Sequence, residues 1–407
     1  MLTCTGVHLL NNAINFLVEQ CGSSVVLCTA TQPLLHQVDK EKGALRVGPN
    51  AEIIRDVPAL FAGLQRHRIY DRRKQGGWAH LAVAALALEE TARVGSCLVV
   101  VNTKREALSI FRECRSGVTG TQVFHLSTSM CPAHRLKILG EIRVCLDNKV
   151  SVVCVSTQLI EAGVDISFGA AIRALAGLDS IAQAAGRCNR HGEMDVGHVH
   201  VVNLAGMVPK TLKDIRAAQE ATERVLDENR SGGTPPEIDL SDPKLIEQYF
   251  RYYFFNRQNE MAYRVSPAQA EREDNILNML AENTLAVAGC VPRPSVSLRQ
   301  AFMTASKAFQ SIDANTRGVI VPYTDEGKSV ITELCAGFEP DKQFRLLRSA
   351  QQFTVNVFPH VLEELQRVNA VHAVQEGTGV LYLESRWYSG DFGLNVEGTE
   401  GMDLEYA

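Results

Sequence analysis

Between residues 76 and 206 the chain alternates valine-rich runs with stretches of helical length. No other feature of the sequence limits its fold so tightly. A helical stretch at 79–93 leads into "SCLVVVNT", one at 104–115 into "TQVFHLST", and one at 132–147 into "VSVVCVST". A further strand-like run at 169–175 is followed by a helical stretch at 179–188 and by "GHVHVVNL". Continuous apolar strands separated by helices mark a parallel sheet covered on both faces, because a strand with one wet face alternates polar and apolar residues. The predicted fold class is α/β, a doubly wound parallel sheet. With a helix at 209–228 it makes one domain over residues 76–228.

The chain has 407 residues, too many for one compact core, so further domains are expected. Residues 8–20 predict a helix, and Ser24–Cys28 in "SSVVLCTATQP" predicts a buried strand within a first segment, 1–40. The run "RIYDRRKQGG" closes a connector at 41–75, its charges and glycines arguing against packing. The Gly/Pro-rich "NRSGGTPPEIDLSDP" marks a linker at 229–241. Residues 242–407 mix helical stretches (242–255, 268–286, 297–309) with short strands ("RGVIVPY", "FTVNVF", "GVLYLES") and read as an α+β accessory domain.

A net charge of −5 excludes a wholly basic nucleic-acid coat and leaves room for a local basic channel. Eleven cysteines, an odd number with no C-x-x-C pair, predict reduced buried thiols of a cytoplasmic protein and no metal cluster. His198 and His200 alternate along a strand and are expected to face the sheet surface or a packed helix, not a metal. No run of about 20 apolar residues and no leader sequence is present, so no membrane segment is expected.

In an open α/β sheet the ligand lies beyond the carboxyl ends of the strands. The strands here end in Asn102-Thr103, in Ser127-Thr128 and in Ser156-Thr157-Gln158, with Glu161 and Asp165 beyond. Any one of these fits a helix cap. Three strands ending alike at one edge also fit a grip on a phosphodiester backbone that reads no sequence. The segment "DSIAQAAGRCNRHG" sets Gln183, Arg187 and Arg190 at i, i+4 and i+7, one side of a helix. Phosphoryl transfer builds charge on a γ-phosphate that an arginine can stabilise. An arginine with that task is expected to carry no carboxylate partner of its own.

Three segments, "TAT" (29–31), "STQLIEAGVDI" (156–166) and "QAAGRCNRHGE" (183–193), resemble motifs III, V and VI of superfamily 2 helicases in wording, order and spacing. More narrowly, "FHLSTSMCPAHR" (124–135) and "LAGLDSIAQAAGRCNRHGE" (175–193) resemble the CRISPR-associated helicase–nuclease of type I systems. "RQAFMTASKAFQSIDANTRGVIVPY" looks like that family's C-terminal accessory domain. The resemblance implies a RecA-like second motor domain at 76–228, preceded by a remnant of a first. It implies Arg187 and Arg190 as arginine fingers and Gln183 as a nucleotide contact. Gly163, Asp165 and Gly186 would face the nucleotide, and Thr29 and Thr31 would couple hydrolysis to strand movement. Asn102, Ser127, Thr128, Arg135, Ser156, Thr157 and Gln158 would line a track for single-stranded DNA. ATP and Mg2+ are the implied cofactors of a complete enzyme. The implied partners are single-stranded DNA and the CRISPR surveillance complex.

The phosphate loop G-x-x-x-x-G-K-[ST] and the D-E-x-x segment of such enzymes do not precede these motifs. "EGKS" at 326–329 has Pro322 where the first glycine belongs, and "TDEGK" at 324–328 lies on the wrong side of the other motifs. No adjacent His-Asp pair marks a nuclease. The expectation is a C-terminal part that hydrolyses no ATP alone and that a separate N-terminal half would complete. A catalytically inactive module binding single-stranded DNA or the surveillance complex is the alternative. Residues 1–35 are expected to present apolar surface.

Overall fold

The computed structural model describes residues 4–395 apart from Ala30, 49–50, Arg55, Val118, Ala162, Met207, 210–211, Ser231, 233–234, Ser241, Gly289, 293–294, 296–298, 311–315, 337–339 and Glu376. The chain divides into two units. One comprises 1–64, 217–229 and 240–313; the other comprises 65–216, 230–239 and 314–407. The stretch read from sequence as one accessory domain, 242–407, is shared between them.

The larger unit is built on a seven-stranded sheet. Its strands are β1 (His67–Asp71), β2 (Ser96–Val100), β3 (Gln122–Leu126), β4 (Val152–Ser156), β5 (Ala170–Ala174), β6 (Gly197–Val202) and β7 (Glu237–Ile238), in the order β3-β4-β2-β5-β6-β1-β7. All neighbours are parallel except β1 and β7. This is the expected α/β sheet. Every residue of β2, β4 and β5 is buried, so both faces are covered. Cys97, Val99, Val153, Val155 and Ile172 face Val83 and Ala87 of the helix His80–Val94 and Ile110 and Phe111 of the helix Lys104–Ser116. Alternate residues such as Leu98 and Cys154 are as fully buried against the other side. Thr103 closes a capping box with Glu106 at the start of the helix Lys104–Ser116, so for Thr103 the capping reading holds.

Two segments read as connectors carry strands instead. β1 occupies part of "RHRIYDRRK": Ile69 fills the core, and the charges are answered locally. Arg73 forms a two-bond pair with Asp71 at 2.9 and 2.8 Å, Trp78 Nε1 donates to Arg72 O at 2.8 Å, and Lys74 lies over the Trp78 ring. The run therefore packs in spite of its charge. β7 lies in the expected linker 229–241 and pairs antiparallel with β1, closing that edge.

A second sheet in this unit joins Arg317–Ile320, Thr354–Val357, Leu381–Leu383 and Val371–Ala373. The first three fall on the expected strands, and the fourth was not foreseen. Beyond it, a hairpin of Tyr388–Ser389 and Gly393–Leu394 packs on the loop after β3. Gly393 has φ +82°, and a Cβ there would stand only 2.4 Å from Ser129 O, so only glycine fits. Leu394 N donates to Ser129 O at 2.8 Å, and Phe392 enters the main core.

In the smaller unit the helix Val7–Glu19 is fastened by its polar residues. Asn11 donates to Leu35 O and Gly43 O, and Asn15 donates to Ala44 O. A small core gathers Val265, Ala270, Ile276, Met279, Ala305 and Ala308. The expected helix at 268–286 is broken into Pro267–Ala270, Ile276–Leu280 and Thr284–Val287, with left-handed Glu271 and Asn283 at the breaks. The stretch read at 297–309 forms a helix over Phe302–Ala308. Ser24–Cys28, expected as a buried strand, is in no strand and is exposed throughout. It is apolar chain with no sheet partner among the described residues.

Candidate functional site

The register of the large sheet brings the predicted residues to one edge. Leu126 of β3 pairs with Ser156 of β4, Ser156 with Val100 of β2, and Val100 with Arg173 of β5. Because the strands are parallel, the residues that follow them emerge together. They differ in what they can offer. Asn102 is turned inward: Nδ2 donates to Leu175 O at 2.8 Å, and Oδ1 accepts from Arg173. Ser127 is fully buried, its Oγ 3.1 Å from His125 Nε2. Ser156 Oγ is 3.1 Å from Leu126 O and 2.8 Å from Thr157 O. Thr157 is buried as well. Thr128 is exposed, and Gln158 is half-buried with Nε2 donating to Asn102 O at 3.4 Å. Arg135 is half-buried near the start of the helix Pro132–Asp147. At this edge Thr128, Gln158 and Arg135 have solvent-accessible surface, and the other four members are buried behind them.

Much of "STSMCPAHR" is occupied in holding the C-terminal hairpin. His134 Nε2 lies 2.8 Å from Gly390 O, which can only accept, so that nitrogen carries the proton. His134 Nδ1 then accepts from Tyr388 Oη–H at 2.9 Å, while Cys131 N donates to the same oxygen at 3.1 Å. Tyr323 stacks on the His134 ring. Burial, then the charge of Lys137, pushes the imidazole pKa down to about 4.

The nucleotide-facing candidates lie in two loops beyond β4 and the helix Leu178–Ala185. That helix ends at Ala185, three residues short of the expected end. Small residues fit either a helix or the turn that follows, so the sequence does not show the stop. Gln183 is on the helix, half-buried, and Gly186 is its C-cap. Arg187 and Arg190 lie past it, and the helical spacing that set them beside Gln183 does not apply. Cys188 bridges to Phe168 and Asn189 is left-handed, which holds the two arginines in a compact turn.

The arginines have different surroundings. Arg187 is 7% exposed and spends Nε and Nη2 on main-chain oxygens, Ile160 O at 3.1 Å and Glu161 O at 2.6 Å. It ties its loop to the "EAGVD" loop. Arg190 is exposed, its Nε donating to Asp165 Oδ1 at 2.8 Å, with His191 Nε2 3.6 Å from the same oxygen. Those two groups hold the Asp165 carboxyl below the usual carboxylate range. An arginine free of carboxylates was expected here. Instead the two residues assigned to the nucleotide are paired with each other across the loops. Gly163 is left-handed at φ +74° and opens onto empty space, with nothing within 4 Å of a would-be Cβ. Thr29 Oγ1 donates to Thr31 O at 3.1 Å; Ala30 between them lies outside the described residues.

Two groups escaped the sequence reading. The first is Arg173, a fully buried cation in the last rank of β5, with Glu161 as its ion partner at 2.9 Å. A single charge in "AAIRALA" looks like the end of a strand, and nothing in the sequence ties it to Glu161. The second is Glu90 with His198 and His200, whose donor atoms lie within 4.8 Å of one another. His200 Nε2 is 3.0 Å from Glu90 Oε1, and Arg93 donates to Oε2 at 3.1 Å. Burial alone would raise the Glu90 pKa, but His200 and Arg93 outweigh it and hold the carboxyl at about 2. A dication would meet the Arg93 guanidinium on the same carboxylate, so the group reads as a polar clasp under the helix His80–Val94. The eleven cysteines are all free thiols. No described helix is long and apolar enough to cross a membrane.

Comparison with known proteins adds the following. Residues 93–193 match a family model described as CRISPR-associated nuclease/helicase Cas3, C-terminal. The CRISPR-associated nuclease/helicase Cas3 of Haloferax volcanii is 56% identical over 72 residues, 17% of this chain and 8% of that protein. The protein of the same name from Methanothermobacter thermautotrophicus is 28% identical over 136 residues, 33% of this chain and 15% of its own. Among solved structures, T. fusca Cas3 superposes with a TM-score of 0.52 at 15% identity, over 78% of this chain and 39% of that one. Its ATP form gives 0.50 over the same shares. At that identity the likeness speaks for the fold alone, a RecA-like α/β domain. The chain spans well under half the length of these relatives.

Proposed function

We propose a function from one premise: this chain carries the C-terminal helicase part of the Cas3 family. In this reading it is the second motor domain and accessory region of a CRISPR-associated helicase–nuclease that unwinds and degrades invader DNA in antiviral defence. Arg190 is the group that meets the γ-phosphate, with Gln183, Gly163, Asp165 and Gly186 around the nucleotide. The family's reaction uses ATP and Mg2+, and bound nucleotide would supply the phosphoryl group. This chain's part is to present a cation to the charge that builds on that group. Thr128, Gln158 and Arg135 touch single-stranded DNA, and Asn102, Ser127, Ser156 and Thr157 hold them in place. Thr29 and Thr31 couple the two events. The surveillance complex is the partner that delivers the DNA.

The observation that carries the reading is the exposed Arg190–Asp165 pair, joining the two helicase-like loops beside the open space at Gly163. A surface ion pair is weak. A polyphosphate can therefore take Arg190 from Asp165 at little cost, which leaves the arginine available although it is not free of a carboxylate. Arg187, bound to two carbonyls, acts by fixing the loop. In this reading the triphosphate is held by a segment that carries the phosphate loop, and this chain supplies the cation that meets it. The test is reconstitution. The chain is mixed with a separately made segment carrying a phosphate loop and nuclease motif from the same enzyme type, and DNA-stimulated ATPase is measured. Activity that disappears with Arg190→Ala supports the proposal. If the mixture has no DNA-stimulated ATPase, yet the chain binds random single strands with the salt dependence of phosphate contacts, the non-catalytic binding module is the better reading.

A further inference from the structure

Behind the edge just described lies a charged network that no part of that reading requires. Arg173 has no exposed surface, and its guanidinium reaches three elements. Nη1 donates to Asn102 Oδ1 after β2 at 2.8 Å and to Ala174 O at 2.7 Å. Nη2 lies 3.4 Å from Ser180 Oγ on the helix Leu178–Ala185. Nε stands 2.9 Å from Glu161 Oε1 in the "EAGVD" loop. Glu161 is bound a second and a third time: Oε2 accepts from Ser180 Oγ–H at 2.8 Å, and its main-chain oxygen accepts from Arg187 at 2.6 Å. One carboxylate residue thus sits between the buried arginine and the loop of Arg190.

The pair is placed at a cost. Burial pushes the Glu161 pKa up against the pull of Arg173. The Arg173 Nε and Glu161 Oε1 atoms are at ion-pair distance, but neither completes a hydrogen bond. Buried ion pairs seldom add stability over an apolar pair of the same volume, and one with imperfect hydrogen bonding adds less. What this pair does supply is a fixed position for the Glu161 backbone, in a loop that the side chains of Arg187 and Arg190 also hold. Asn102 is anchored by the same guanidinium, so the two loops and the end of β2 share one buried post.

We infer that Arg173 is a positioning residue: through Glu161 and Asn102 it sets the main chain at Glu161, the Arg187–Arg190 turn and the end of β2 relative to one another. The inference rests on the helicase reading for its meaning, since that reading makes these loops the nucleotide and DNA edge. Its test uses neither nucleotide nor DNA, so the two can fail separately. Amide hydrogen exchange is measured by mass spectrometry on the full chain, alongside its thermal melting. The main variant is the double substitution Arg173→Met with Glu161→Gln, which removes both charges together and keeps an acceptor for Ser180. The expected result is exchange about tenfold faster at 158–166 and 186–191 than in the rest of the sheet, beyond whatever uniform change the shift in melting temperature accounts for. Arg173→Lys, which keeps a buried cation too short to reach both partners, is expected to loosen the same segments; Glu161→Asp, which keeps the charge but shortens its reach, is expected to loosen them less. Equal loss of protection across the whole sheet in the folded variants would make Arg173 an ordinary structural brace and overturn the inference, as would unchanged exchange in those segments. Should the double variant not fold, the same comparison is read from Arg173→Lys and Glu161→Asp.

Discussion

Ser24–Cys28 and Ser96–Val100 have the same five residues in different order, "SVVLC" against "SCLVV", and they have opposite fates. In the large unit Cys97 to Val100 are 0% exposed, with β4 on one side and β5 on the other. In the small unit Val25, Val26 and Leu27 are 38%, 68% and 38% exposed, and the chain is paired with nothing described. A strand is not a local structure. Its apolar side chains and its amide groups are both satisfied by neighbours, and β2 has them within its own unit. The comparison shows that an apolar run of this kind becomes a strand only where neighbouring strands stand on both sides of it. The exposed run also fits the sequence expectation that residues 1–35 present apolar groups.

The most severe way to break the comparison is to put a charge into each run. Val99→Asp buries an unpaired carboxylate at a fully enclosed site, so the large unit should fail to fold, with a cost of several kcal/mol by circular dichroism and urea melting. Val26→Asp should leave melting within about 0.5 kcal/mol of wild type and reduce self-association in size-exclusion chromatography. A large loss from Val26→Asp would mean that 24–28 is buried in solution and that the contrast is false.

Next in size is the hairpin that covers the loop after β3. Gly393→Ala adds a Cβ 2.4 Å from Ser129 O at a left-handed position, and should cost about 2 kcal/mol or more in urea unfolding. Gly22 is also left-handed, but a Cβ there meets nothing. Gly22→Ala should therefore cost only the backbone strain, about 1 kcal/mol. Equal costs at the two glycines would say that the close approach to Ser129 does not matter.

The acid limb separates groups within the large unit by chemistry. His125 and His134 are both held at about 4 by burial first, against 6.5 when unfolded. Each is folded as a neutral ring and takes a proton on unfolding. Their stability is complete above pH 6.5 and is lost as the pH falls from 6.5 toward 4, by at most about 1.4 kcal/mol per pH unit for each. Glu90, held at about 2, loses its share only below 4.5. Urea titrations of the wild type and His134→Gln should show a shallower acid slope in the variant. Identical slopes would place the protonation elsewhere.

These contrasts also mark what a sequence can show. The valine-rich strands and the polar residues that end three of them were legible, because a covered parallel strand leaves a continuous apolar run. β1 was hidden by "RHRIYDRRK", whose charges are satisfied only once Asp71, Trp78 and β6 are in place. The exposed state of 24–28 was hidden because a strand's neighbours are not written in the strand. In the candidate site the segments were legible and the bonds were not. Thr128 and Ser127 look alike in sequence, but one faces solvent and the other a buried histidine. The partner of Arg190 lies 25 residues away in another loop, and the role of Arg173 depends on three elements meeting.

The smallest expected effect on stability tests the most about function. Arg187 and Arg190 are three residues apart in one turn, one spent on buried carbonyls and the other on an exposed carboxylate. Arg190→Ala removes a solvent-screened pair and one long exposed bond to Gly186 O at 3.4 Å, so melting should be indistinguishable from wild type. Arg187→Ala leaves the Ile160 and Glu161 carbonyls with fewer donors in a buried place and should cost about 1–3 kcal/mol. If Arg190 is the group that meets phosphate, its loss abolishes ATPase in the reconstituted enzyme with stability intact. A loss of activity from Arg187→Ala would come with loosening of the loop. The reverse pattern, an unstable Arg190→Ala with full activity, would assign the structural role to Arg190 and leave the γ-phosphate to another cation.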